Sequence, residues 1–212
     1  MTEPQEIEPR MDHLVYAAPD VDALVAEFTE RTGVAPVLGG VHVGRGTRNH
    51  LVGLGGAAYL ELIGPDDPTA RPLPDVFGID RLTAPRLAAW VVRPADLDAT
   101  VRQARERGYD PGDIAPLSRR TPDGDLLQWR LTPNRGDRFG GLAPALIDWK
   151  DARHPTEGGL PQVRLLSLAG RHPDPPAVRN ALAALGVALD VTPGPAALEA
   201  VLDTPRGPVT IS

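Results

Sequence analysis

Residues 12 to 33 read DHLVYAAPDVDALVAEFTERTG, and this one stretch holds a strand, a turn and a helix. The apolar run at 13 to 18 closes at Pro19, which has no backbone N–H to give to a ladder. Asp20 then stands as a helix N-cap, followed by Val21, Leu24, Val25 and Phe28 at i, i+3, i+4 and i+7, one face of an amphipathic helix. Gly33 stops that helix. Three strand-like runs follow at 36 to 43, 47 to 54 and 57 to 63, with a Gly55-Gly56 turn between the last two. The predicted unit is therefore β-α-β-β-β.

The same unit recurs twice. LAAWVV at 87 to 92 leads to Pro94 and an Asp96-capped helix with Leu97, Val101 and Ala104, then to runs near 114 to 119, 125 to 132 and 143 to 149. VRLLSLA at 163 to 169 starts a third copy, with Pro175-Pro176 at the helix start and Gly186 at its stop. A repeat this long predicts an α+β fold of one unit over residues 1–212, with module one at 12–64, module two at 86–149 and module three at 163–212. Each module has a sheet with one face under its helix and the other bare. Two bare faces side by side predict a concave, curled mixed sheet with the helices outside and a ligand trough within. The stretches at 65 to 85 and 133 to 142, rich in Pro, Gly and charge, are expected to be connections or lids.

Composition narrows the function. The 212 residues carry a net charge of -6, which repels phosphate backbones and anionic lipid, and only 4% are aromatic, too few for a base-stacking surface. Neither nucleic acid nor a membrane is expected as a partner. The absence of cysteine excludes disulfides, thiolate nucleophiles and zinc-thiolate sites. MTEPQEIEPR at the start is acidic with no apolar stretch behind it, so no signal peptide is expected and the expected location is cytoplasmic. No GxSxG-type elbow signals a serine hydrolase.

DHLVYAAPDVDA, GGVHVGRGTRNHLVGLG and YLELIGPD, set in this repeat, resemble the vicinal-oxygen-chelate superfamily, and within it the glyoxalase-like family. SRRTPDGDLLQWRLTP and PALIDWKDARHP look like the second-module signatures of that family. The resemblance implies metal ligands from the first and fourth strands of a module, which fall here on His13 and Glu61. Alternation agrees, since His13 shares a face with Val15, and Glu61 with Tyr59 and Ile63. Module two departs from the pattern: Ala88 stands where His13 has its counterpart, and Ile147 or Asp148 where Glu61 does. A third ligand must then come from elsewhere, with His154 the first choice and His50, His42 or Asp148 the others.

The resemblance thus implies a divalent ion (Fe, Mn, Ni or Zn) on His13 and Glu61, with His154 as the expected third ligand, binding a small oxygen-chelating organic molecule. Isomerase, lyase or dioxygenase chemistry would follow, with Glu61 also moving the proton. The competing reading is a His13–Glu61 pair without metal in a protein that sequesters a small molecule, and a His154-Pro155 that only turns the chain. For the substrate the candidates are His42, Asn49, Arg120 and Trp129. Asn49 alternates with His50, so only one of them faces the ligand, and Arg119 and Arg130 lie beside the same hairpin as Arg120. The Gly-rich GGVHVGRGTRNHL lacks the order of a phosphate loop, and His172 before Pro173 reads as structural. Three modules leave one unpaired, which predicts a homodimer.

Overall fold

The structure is a computed structural model that describes residues 10–132 and 139–212. Most of the acidic start and most of the 133 to 142 linker lie outside the described residues. The first segment runs β1 (Arg10–Ala17), α1 (Val21–Thr32), β2 (Val37–His42), β3 (Thr47–Gly55) and β4 (Ala58–Pro65). The second runs β5 (Arg86–Arg93), α2 (Leu97–Glu106), β6 (Ala115–Arg120), β7 (Leu126–Leu131) and β8 (Ala145–Asp148). The third runs β9 (Arg164–His172), α3 (Pro175–Leu185), β10 (Asp190–Pro193), β11 (Ala197–Thr204) and β12 (Gly207–Ile211).

Each helix begins where an aspartate can satisfy its first free N–H groups. Asp20 accepts from Asp22 and Ala23, Asp96 from Ala99 and Asp174 from Ala177, each cap contributing about 1 kcal/mol. Gly33 ends α1 in the left-handed conformation, at φ 75°.

β1 to β8 form a closed barrel in the order β1-β4-β3-β2-β6-β7-β8-β5, and β9 to β12 form a separate four-stranded sheet. The sheet curls as expected, and its curl goes as far as closure. One seam is the antiparallel pairing of β1 with β5, and the other is β2 with β6 through Val41–Arg120 and His42–Arg119. Gly40, at φ 139°, makes the second seam possible, because a Cβ there would collide with the Arg120 carbonyl oxygen.

Alternation along the strands sorts the core into two clusters. Leu14, Tyr16, Leu60 and Leu62 face outward and join Leu24 and Phe28 of α1 in the larger one. Burying each such leucine contributes roughly 1.5–3 kcal/mol. The third segment adds Val178, Leu182, Leu198 and Leu202 to this outer core, against Trp90 and Leu146 of module two. Val15, Tyr59, Ile63, Trp129, Ile147 and Trp149 face inward and form the second cluster. The 65 to 85 connection contributes Ile79 to that inner cluster, fully buried, and brings Val76 and Phe77 to the cavity wall. Among the described residues no helix is long and apolar enough to cross a membrane.

Candidate active site inside the barrel

β1 and β4 run parallel with His13 opposite Tyr59 and Val15 opposite Glu61, so both predicted side chains reach the interior. β3 adds Thr47 and Asn49, β2 adds His42, and β6 adds Arg119. Trp129 and Ile147 form part of the apolar wall from module two. The cavity they line measures about 170 Å³. A space of roughly 150 Å³ holds a benzene-sized molecule.

Glu61 is the hub. Its Oε1 accepts a hydrogen bond from Asn49 Nδ2 at 2.5 Å and lies 3.6 Å from His42 Nε2, while Oε2 lies 3.9 Å from His13 Nε2. Arg119 Nη1 donates in turn to Asn49 Oδ1 at 3.1 Å. Gly39 clears room for that pair, since a Cβ there would meet the side-chain Oδ1 of Asn49 and come within 2.6 Å of Arg119 Nη1.

Both imidazoles are anchored through Nδ1. That of His42 is 3.0 Å from Thr47 Oγ1, and that of His13 is 2.7 Å from Asp12 Oδ1. Burial alone would raise the Asp12 pKa, but hydrogen bonds from His13 and His154 hold the carboxyl well below the usual carboxylate range. An ionised Asp12 accepts only, so the His13 Nδ1 carries its proton toward Asp12. In the neutral ring Nε2 is then a bare lone pair facing Glu61. The His13 ring stacks on Tyr59 at a centroid distance of 4.7 Å. Burial, together with Arg119 and His13, lowers the His42 pKa from 6.5 against the opposing pull of Glu61.

Two expectations need correction. His154 was expected to approach the ion, but its Nε2 is 3.2 Å from Asp12 Oδ2 and its Nδ1 2.7 Å from Thr156 Oγ1. Both nitrogens are spent, and His154 braces Asp12 while capping the short turn Pro155–Gly158. Arg120 was expected to meet the substrate, but β6 alternation turns it outward, where it donates to the Gly124 carbonyl. Its neighbour Arg119 is the inward one, 4% exposed. Of the remaining candidates, Asn49 is inward and 2% exposed while His50 points the other way, and Ile147 lines the cavity while Asp148 pairs with Arg130 outside it.

Alternation alone did not identify Asp12. A register shift between Met11 and His13 turns this residue inward, fully buried, where it also accepts from Trp149 Nε1 at 3.1 Å. The only signal in the sequence is an acid directly before the candidate ligand histidine.

A family model for a glyoxalase-like domain matches residues 11–186. Among curated proteins none matches the chain. Of solved structures, a hypothetical protein from Staphylococcus aureus superposes with a TM-score of 0.64 at 12% identity, over 89% of this chain and 87% of that one. That likeness is one of fold. Methylmalonyl-CoA epimerase from Mycobacterium tuberculosis has a TM-score of 0.42 at 20% identity, over 69% of this chain and 90% of its own. A variant of the Streptomyces coelicolor epimerase in complex with 2-nitronate-propionyl-CoA has a TM-score of 0.44 at 22% identity, over 70% and 99%. With its family model spanning most of the sequence, the chain belongs to the glyoxalase-like family of the vicinal-oxygen-chelate superfamily.

Proposed function

We propose that the barrel cavity is the active site of a divalent-metal-dependent enzyme of the isomerase, lyase or dioxygenase type, acting on a small oxygen-bearing organic molecule. The observation that carries this reading is the placement of two anchored imidazoles with Nε2 toward the two oxygens of one carboxylate. Two imidazoles beside a carboxylate, walled by apolar side chains, are donors of the kind a divalent cation takes.

The donors suit a divalent ion in kind: two histidines and a carboxylate, the histidines held by Asp12 and Thr47 as outer partners. Among the described residues no three such side chains close around a single point as they stand. His13, Glu61 and His42 would hold the ion after small rotations of the side chains. A bound ion supplies Lewis acidity toward a substrate oxygen. The chain supplies the rest. Glu61 is the one carboxylate among the residues lining the cavity, so moving a substrate proton falls to it, with Asn49 fixing the orientation of its carboxylate. Trp129 and Ile147 keep water from the reacting atoms.

A second reading rests on a specific observation: module two puts Val91, Ala145 and Ile147 into the cavity and no further ligand. Such a cavity suits a metal-free protein that sequesters a small molecule. Protein purified without a His tag separates the two readings by elemental analysis and by melting with added Mn²⁺, Fe²⁺, Ni²⁺ or Zn²⁺. The enzyme reading expects bound divalent metal and a rise in Tm that His13→Ala removes. No metal and no shift, with organic ligands still binding, would establish the sequestering protein instead.

A further inference from the structure

Arg119 is the buried arginine among the described residues, 4% exposed, and it makes no direct ion pair there. A guanidinium cannot shed its proton, and burying it costs several kcal/mol unless its donors find acceptors. Of its five N–H donors, Nη1 is given to Asn49, and Nε is buried with no hydrogen-bond partner. The arrangement is nevertheless held in place from both sides. Gly39 leaves the space that the guanidinium and the Asn49 amide fill, and β6 pairing puts Arg119 opposite His42. A long flexible side chain fixed inside an apolar cavity with spare donors is prepared for an acceptor that arrives from outside.

We infer that Arg119 docks the carboxylate of the substrate, and that the cavity takes small 2-oxo or 2-hydroxy carboxylic acids with an apolar remainder. This rests on the reading of the cavity as a substrate site and names the class that enters it. The planar fork of a guanidinium matches a carboxylate in two parallel hydrogen bonds. One buried guanidinium balances one negative charge, which suits a carboxylate and leaves a phosphate dianion short of a partner. The other arginine along the cavity, Arg45, is exposed. The space of about 170 Å³ admits an acid of a few carbons or one ring, and its walls at Leu117, Trp129 and Leu131 are apolar. Asn49 bonds to both Arg119 and Glu61, so a carboxylate on the guanidinium places its neighbouring carbon and oxygen beside Glu61 and the two histidines.

The test compares acids with their amides in chelator-treated protein, so that chelation to a metal does not contribute. Lactate and mandelate are titrated against lactamide, mandelamide and inorganic phosphate, by calorimetry and by thermal shift. The acids are expected to bind roughly tenfold to a hundredfold tighter than the amides, the range for a charge-assisted hydrogen bond. Arg119→Gln is expected to erase that preference and Arg119→Lys to keep part of it. His13→Ala is expected to retain it while losing divalent-ion binding, which separates this inference from the metal reading. Acid and amide binding alike, binding of neither, phosphate binding tighter than either acid, or a preference that survives Arg119→Gln would overturn it. Should Arg119→Gln fail to fold, the comparison of acid with amide in the unaltered protein remains decisive.

Discussion

Strands β1 and β4 bring His13 and Glu61 into the barrel where β5 and β8 bring Ala88, Val91, Ala145 and Ile147. The two halves share their element order, and their strands follow the same spatial order, β2-β3-β4-β1 on one side and β6-β7-β8-β5 on the other. Their inward faces nevertheless differ in character. Module one carries the titratable cluster, and module two supplies a mostly apolar wall, Arg119 being its charged exception. A low-dielectric wall strengthens every charge interaction across from it. Backbone geometry and inward-face chemistry are separable in this barrel: the same strand order carries a polar face in one half and a mostly apolar one in the other.

The comparison breaks most severely at Asp12, where the two halves meet. This carboxylate on β1 accepts from His13, from Trp149 just past β8, and from His154. Asp12→Ala leaves those donors buried without an acceptor, and urea unfolding is expected to show a loss of about 3–5 kcal/mol. A loss below about 1 kcal/mol would mean that the Asp12 hydrogen bonds add little to the strand pairing and packing that join the halves.

A smaller effect separates the two faces of β3, with Asn49 inward and His50 outward. Burial, with Arg48 nearby, lowers the His50 pKa from 6.5, against a weaker opposing pull from Asp22. The unfolded chain therefore takes the proton first on acidification. This contribution to stability is complete above about pH 6.5 and is lost as the pH falls toward the folded value. Tm measured between pH 7.5 and 5 is expected to fall less steeply in His50→Gln than in the parent. Identical slopes would show that this outward histidine titrates as in the unfolded chain.

The smallest effect belongs to Arg120, which shares β6 with Arg119 but lies outside. Arg120→Ala is expected to change stability by no more than about 0.5 kcal/mol and to leave ligand affinity unchanged. Loss of binding in this variant would return the substrate role to Arg120.

Periodicity was enough to locate the helices and the inward positions on straight strands. Asp20 and Gly33 bracket α1, and His13 and Glu61 face the interior on the faces that period-2 counting assigns them, while alternation leaves the choice between Asn49 and His50 to the structure. It failed where the backbone departs from period two or where the answer lies in tertiary pairing. The shift beside Asp12 inverts that residue, and closure at Val41–Arg120 and His42–Arg119 is what makes Arg119 the inner arginine. Nothing in IDWKDARHP reveals that His154 folds onto Asp12, because that contact joins residues 142 positions apart. His42 fell among the substrate residues and second-choice ligands because its distance from Glu61 depends on how β2 pairs with β3, with a register shift between Leu38 and Gly40.

The proposed reading is that the inward face of module one forms a cation site by itself. Its most direct test is calorimetric titration of Mn²⁺ into chelator-treated parent protein and Glu61→Gln, a change that keeps side-chain volume and the acceptor for Asn49 while removing the charge. The account predicts about one ion per chain in the parent and at least about tenfold weaker binding in the variant. Equal affinities, or no binding in either protein, would contradict it.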